Sequence, residues 1–393
     1  MTAIESREYP RPQTPLKARD LHFRSIVVDT HVDTTQRLIF DDFDLARRHE
    51  NGCIDIPRMR DGGIGAIFFA IWQPGKITGP KSVEGAFAQI DAVRRQVARH
   101  PEHLVLAQTA DDIRHARLHG QIAILLALEG GQMIDSSLDT LRAYFFLGVK
   151  YMTLTHNRNV EWADSATDQP AHNGLTAFGK QVIHEMNRLG MIVDVSHVSD
   201  KVFSDTLSAS RAPIFASHSC CRALCNSPRN LSDDMIEALA AKGGVIQINF
   251  HVGFLIRKFR EAIDAHPDRQ TQADEEARRI CGANSACLLL ENERQTREMV
   301  AEGELPRVEW NEIIDHINHA VNLVGADHVG LGSDFDGANM PYGMEDASCC
   351  PRITDALQQN GYSDCDIQKI LGGNTLRLMQ DVETVAKKME EIR

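Results

Sequence analysis

The chain has 393 residues, 42% hydrophobic and 25% charged, which supplies a large core and argues against global disorder. A formal net charge of −13 argues against a nucleic-acid partner, which would favour a basic face. No run reaches the ~18 apolar residues of a membrane span, and neither a signal-peptide core nor an anchor tail is apparent, so no membrane partner and a cytoplasmic location are expected.

In chain order, the first 20 residues or so, with their prolines, read as an extended arm. Short apolar, β-branched-rich runs then recur at 25–33, 64–72, 122–129, 150–156, 191–197, 213–218, 244–249 and 328–336. Near-continuous hydrophobicity, as in Ile122-Ala-Ile-Leu-Leu-Ala-Leu128, fits strands covered on both faces. Helical patterns lie between them. The stretch 175–189 has helical apolar spacing and stops at Gly190. Residues 233–241 follow Ser232 as N-cap and close on Gly243-Gly244, and Ser363 with Asp366 suggests a capping box. Alternating strand and helix eight times predicts an α/β fold, a closed (β/α)8 barrel in one domain over 1–393. An open doubly wound sheet is the runner-up, but no Gly-rich phosphate loop follows the first strand. A charged helical insertion, about 251–307, separates the seventh strand from its helix; it reads as a lid, a subunit contact or a solvated excursion. The nine cysteines fit no zinc-finger spacing, and reduced thiols are expected.

The strand ends carry the chemistry. The first ends in Asp29-Thr30-His31-Val32-Asp33, where strand alternation points His31 and Asp33 the same way. Alone, such a triplet is common by chance, and a solvated strand end explains it. However, other strands end in Glu129, His156, His197, His218 and Asp334 with Asp336. Barrel active sites gather residues from several strands at the C-terminal face, and this set suits two adjacent divalent ions with a bridging carboxylate.

The placement resembles the membrane dipeptidase (renal dipeptidase-like) family, a branch of the amidohydrolase-type metal-dependent barrels. The likeness lies in Asp-Thr-His-Val-Asp at 29–33, Ala-Leu-Glu-Gly-Gly at 127–131, and Leu-Thr-His-Asn at 154–157 with Trp-Ala-Asp-Ser at 162–165. It continues through Asp-Val-Ser-His at 194–197, Ala-Ser-His-Ser at 216–219, Pro-Arg-Asn at 228–230, Gly-Ser-Asp-Phe-Asp-Gly at 332–337 and Gly-Gly-Asn at 372–374. The resemblance implies two zinc ions per chain: His31 and Asp33 on one, His197 and His218 on the other, Glu129 bridging. It assigns proton transfer to Asp334, oxyanion stabilisation to His156 and a clamp on the substrate's terminal carboxylate to Arg229. Asp336 ranks second, as support for the site, because in a regular strand it would share the face of Asp334.

The expected activity is hydrolysis of dipeptides with a free C-terminal carboxylate, L-Xaa-D-Xaa dipeptides among them, and the family suggests a homodimer. One departure concerns specificity: some members have a substrate-side tyrosine where this chain reads Asn249-Phe-His-Val-Gly-Phe254. The alternative is another binuclear amidohydrolase acting on a non-peptide amide, a lactone or a deaminable base. Many of those bridge their metals with a carboxylated lysine, and the third strand here ends in Glu129 with no lysine. A catalytically silent metal-binding protein would have lost a ligand or the base, and every expected position is filled.

Overall fold

The structure is a computed structural model in which residues 17–40 and 43–391 are described. Nine parallel strands form its sheet: β1 (Val27–Val32), β2 (Ile64–Trp72), β3 (Leu104–Leu106), β4 (Ile122–Glu129), β5 (Val149–Thr153), β6 (Ile192–Asp194), β7 (Phe215–Ser219), β8 (Val245–Ile248) and β9 (Val329–Leu331). Their order is β2-β1-β9-β8-β7-β6-β5-β4-β3, and a further β2–β4 pairing closes the barrel. The eight predicted strands are all present, as β1, β2 and β4 to β9. The short β3 was not predicted. It pairs with the first half of β4 (Leu104 opposite Ile122, Leu106 opposite Ile124), while β5 pairs with the second half (Leu126 to Glu129). β3 thus fills the edge of β4 that β5 leaves open.

Strand alternation sorts the apolar residues into two packed layers. Ile124, Leu126 and Leu128 join Ile67, Phe69 and Ile71 in the larger cluster with the outer helices. Ala123, Leu125 and Ala127 join Ala66, Phe68, Tyr151 and Phe215 in the smaller one. Glu129 is the next residue on that second face, so the pleat that buries Ala127 also carries a carboxylate to the barrel mouth. At the opposite end, Leu376, Leu378 and Met379 of the C-terminal helix (Asn374–Glu391) pack into the same cluster. Asn374 donates there to the carbonyls of Ala326 (2.6 Å) and Val329 (2.8 Å) at the start of β9. The 372–374 motif therefore anchors the C-terminal helix far from the mouth.

The helix boundaries follow the cap residues. Helix Ala177–Leu189 starts at Thr176, whose hydroxyl accepts from Gly179 N, and ends at Gly190 with φ +76°. Helix Asp233–Ala241 starts at Ser232 as expected. Ser363 caps Asp366 N, but the Asp366 carboxylate returns to the Ser363 hydroxyl (2.7 Å) rather than its amide.

Three expectations need correction. The arm does not extend to residue 20, because Ala18–Arg24 is helical; residues 1–16 lie outside the described residues. Cys281 and Cys287 form a disulfide, not reduced thiols, because the turn at Gly282 (φ +60°) brings their Cα atoms to 5.4 Å. The regular strands β1, β5, β6, β8 and β9 also stop earlier than their apolar runs. Beyond β6 and β9 the backbone leaves the extended region at His197 (φ +66°), Asp334 (φ +67°) and Asp336 (φ +63°). Asp336 therefore does not share a face with Asp334 through a strand pleat.

The insertion is helical, as predicted: Val252–Leu255, Arg257–Ala265, Pro267–Cys281 and Ser285–Ala301 precede the helix Asn311–Val324. Its last helix packs against helix Thr35–Phe40, which follows β1. It therefore spans from the β8 side of the mouth to the β1 side.

Candidate metal centre and substrate cavity

Glu129 lies at the centre of the mouth. Its Oε1 is 3.0 Å from His197 Nε2, 3.4 Å from His218 Nε2, 3.6 Å from His31 Nε2 and 3.8 Å from His156 Nε2. Asp33 Oδ2 is 3.8 Å from His31 Nε2. The chain turns away after Glu129 through Gly130, whose φ of +118° favours glycine, and Gly131 packs too closely on the Leu154 carbonyl to carry a side chain. Glu129, His31, His197 and His218 are almost fully buried, and His156 is partly exposed.

Two buried aspartates fasten the strand ends. Asp29 accepts from the amides of His31 (3.1 Å) and Ser333 (2.9 Å) and from the Ser333 hydroxyl (2.5 Å), joining β1 to the segment after β9. Asp194 accepts from the amides of Ser196 (3.0 Å) and Ser217 (2.8 Å) and from the hydroxyls of Ser217 (2.6 Å) and Thr153 (2.5 Å), joining β6 to its neighbours. Each lies within a few residues of a donor histidine, so these bonds hold the left-handed turns that follow. Burial pushes the Asp29 carboxyl up to about 6, and its hydrogen bonds oppose that rise.

Hydrogen bonding also fixes the tautomers of two histidines. Tyr151 donates its hydroxyl proton to Thr30 O (2.9 Å), so the contact between its oxygen and His31 Nδ1 (2.8 Å) requires an Nδ1–H donor. Ser217 donates to Asp194, so His218 Nδ1–H likewise donates to Ser217 Oγ (2.7 Å). Both rings turn a bare Nε2 towards Glu129, the form a metal ligand needs. Burial holds His156, His197 and His218 below the ordinary histidine value, with His218 at about 4. Burial, together with the charges of Glu129 and Asp334, pushes Asp33 well up. Asp33 Oδ1 and His31 Nε2 are buried and have no hydrogen-bond partner among the described residues. Neutral imidazoles facing crowded carboxylates are a donor set that fits divalent cations and suits zinc. The donor atoms fall into three close groups, His31–Glu129–His218, Glu129–His156–His197 and His31–Asp33–Asp334.

Above this floor lies a cavity of about 740 Å³. Its lining includes Asp33, Glu129, His156, His197, Arg229, Asp334 and Asp336, with Trp72 and the insertion's Leu289, Leu290 and Glu293. Asn249 donates to Asp334 Oδ2 (2.9 Å). Asp336 accepts from Thr34 Oγ1 and from Cys53 N, both at 2.6 Å. Arg229 is buried over the Phe254 ring (5.2 Å), and its Nη2 donates to His218 O (3.3 Å). Its Nε and Nη1 have no partner among the described residues. Asn230 positions it by donating to the carbonyls of Cys225 and Phe254, each at 2.9 Å. The 162–165 stretch does not line the cavity; Ser165 braces the loop by donating to His156 O (2.7 Å).

The geometry thus brings together His31, Asp33, Glu129, His156, His197, His218, Arg229, Asp334 and Asp336, and leaves the 162–165 and 372–374 motifs outside the cavity. Sequence reasoning missed the orienting groups Tyr151, Asn249, Asp29 and Asp194. Asp29 and Asp194 sit within the quoted motifs, two and three residues before a donor histidine, and that position was the available signal.

A family model for membrane dipeptidases (peptidase family M19) matches residues 16–393. The chain belongs to the membrane dipeptidase family. Among curated members, dipeptidase 3 of Rattus norvegicus is 33% identical over 86% of this chain and 60% of its own length. Dipeptidase aclJ of Aspergillus oryzae is 34% identical over 86% of this chain and 72% of its own. The chain therefore spans about 60% of the first of these relatives. An uncharacterized dipeptidase of Schizosaccharomyces pombe is 34% identical over 93% of this chain and 83% of its own. Among solved structures, the probable dipeptidase PvdM of Pseudomonas aeruginosa has a TM-score of 0.78 at 28% identity, covering 94% of this chain and 98% of that one. A Rhodobacter sphaeroides metallopeptidase, solved with a phosphinate mimic of L-Ala-D-Ala, has the same fold (TM-score 0.75, 23% identity, covering 91% and 99%). As a member of the membrane dipeptidase family the chain is placed among metal-dependent barrels. No helix among the described residues is long and apolar enough to cross a membrane.

Proposed function

We propose that this chain is a dizinc dipeptidase acting on dipeptides with a free C-terminal carboxylate, L-Xaa-D-Xaa dipeptides included. His31 and Asp33 would hold one ion, His197 and His218 the other, and Glu129 would serve both. Bound zinc supplies Lewis acidity and lowers the pKa of water.

The remaining work falls to side chains of the chain itself. A water attacking the scissile carbonyl must lose a proton, and the departing amine must gain one. Asp334 can do both from a single position, because Asn249 fixes its carboxylate at the cavity edge. Burial works against its charge, the Asn249 hydrogen bond favours it, and the carboxyl lies below its ordinary value. His156 lines the cavity beside Glu129 and is placed to stabilise the oxygen of the carbonyl under attack. Arg229 presents its free Nε and Nη1 to a carboxylate. That recognition requires the free carboxylate one residue from the scissile bond, which favours dipeptides over longer chains.

The observation that carries this reading is the pairing of a buried cationic clamp with a buried donor cluster in one cavity. The test is a screen of L,L- and L,D-dipeptides with zinc-loaded protein, alongside metal analysis. About two zinc ions per chain and dipeptide turnover lost on chelation are expected. Absence of bound metal, or no dipeptide cleaved, would overturn the proposal. Arg229→Ala should weaken cleavage of free-carboxylate dipeptides more than of amidated ones; equal loss on both would argue against the clamp.

A further inference from the structure

The cavity wall built by the insertion sets Phe254, Ala286, Leu289 and Leu290 beside the polar His251, Asn292 and Glu293. Along helix Ser285–Ala301, Ala286, Leu289, Leu290 and Glu293 all line the cavity. Their spacing places them on one helical stripe. Glu293 thus puts a carboxylate where the pattern would otherwise continue apolar.

Its orientation is fixed. Arg297, one turn on, donates to Glu293 Oε1 from Nε (3.1 Å) and Nη2 (2.9 Å), and lies over the Tyr342 ring (5.1 Å). The neighbouring Thr296 hydroxyl accepts from Asn339 (2.8 Å), which ties the helix to the loop after Asp336. Both Arg297 bonds fall on Oε1, so Oε2 has no hydrogen bond among the described residues. The nearby carboxylate of Asp336 is already committed through both oxygens to Thr34 and Cys53. Glu293 Oε2 is therefore an acceptor with free capacity on the β1 side of the cavity, outside the metal donor set that includes Asp33.

The other end of the ligand is fixed independently. Arg229 is buried, has two unpartnered donor atoms, and lies on the β7 side against Phe254. A dipeptide carries opposite charges at its two ends, and its α-ammonium is protonated at neutral pH. With the carboxylate at Arg229 and the scissile carbonyl over the donor floor, the ammonium points to another wall.

We propose that Glu293 is a specificity-determining residue that receives the free α-ammonium of the substrate on Oε2, with Arg297 as its positioning residue. This rests on the dipeptidase reading above and deepens it: the cavity reads both ends of a two-residue molecule. The insertion then acts as a chain-length gauge as well as a wall.

The experiment compares a free-amine dipeptide with its des-amino analogue, in which hydrogen replaces the α-amine, using zinc-loaded wild type, Glu293→Gln and Glu293→Asp. Wild type should prefer the free amine by about tenfold or more, the worth of a charge-assisted hydrogen bond. Glu293→Gln should remove that preference, mainly through KM, and leave the des-amino rate unchanged. Glu293→Asp should restore part of it. An equal loss on both substrates would mean a structural role, and an unchanged ratio would mean no role; either overturns the proposal. If wild type cleaves no dipeptide at all, the dipeptidase reading falls first and takes this one with it.

Discussion

Replacing Gly337 by Ala tests the placement of Asp33, and of Asp334 beside it, without replacing either carboxylate. A Cβ built on Gly337 would lie 1.7 Å from Asp33 Oδ2, 2.6 Å from its Cγ and 2.7 Å from Asp334 Oδ1. Carbon approaches a carboxylate oxygen to roughly 3.2 Å, so Oδ2 must retreat by about 1.5 Å. Metal sites tolerate only about 0.2 Å at each ligand. The variant should therefore lose metal affinity by about 10–100-fold and, at saturating zinc, turnover by about 100-fold. Residue 337 lies outside the left-handed region, so the alanine backbone itself is not strained. Metal content by mass spectrometry and kcat/KM on a dipeptide give the readout, with circular dichroism confirming the fold. A folded Gly337→Ala protein with full metal and near-wild-type turnover would refute the assignment of Asp33.

Tyr151→Phe removes the acceptor that holds the His31 tautomer, and should weaken zinc binding by about 10–100-fold in a chelator competition; unchanged affinity would show that the bond has no orienting role. Asp334→Asn should keep its metal yet lose turnover by about 100-fold or more, and persistent activity would exclude Asp334 as the proton carrier. Away from the site, Arg188, with Arg142 beside it, holds Glu185 down at about 2 against the opposing effect of burial. A depressed acid stabilises the fold above its unfolded value near 4.5, and that contribution fades as pH falls towards about 2. Thermal melts should thus show Glu185→Gln less stable than wild type at pH 6, with the gap closing below pH 4.5; a gap constant down to pH 2.5 would argue against the pair.

The barrel was legible because strands buried on both faces must be apolar throughout, as in 122–128. β3 was not, because three residues between His103 and Ala107 carry too little pattern to separate a strand from a loop. The donor residues were legible as polar side chains closing apolar runs. Their mutual geometry was not: left-handed turns at His197, Asp334 and Asp336 break the alternation on which face arguments depend. The turn at Asp334 is braced by Asp29 of β1, a long-range cause that local spacing does not carry, whereas Asp194 braces the turn at His197 from the end of its own strand. Tyr151 was hidden because a tyrosine inside a strand reads as core. The Cys281–Cys287 bond escaped because its formation depends on the turn between two insertion helices.

The insertion has a consequence for how the proposed dipeptidase can change. The donor floor is assembled from strand ends scattered between residues 31 and 334, each fastened to its neighbours, so any alteration there propagates. One face of the wall above it comes from a single continuous stretch, the helix Ser285–Ala301, which the loop after Asp336 ties down through Asn339 and Thr296. In the proposed dipeptidase, one part of the wall that would choose substrates is thereby encoded apart from the donor floor. A lineage, or an engineer, can exchange that one segment and redirect what is accepted while the bond-breaking apparatus stays as it was.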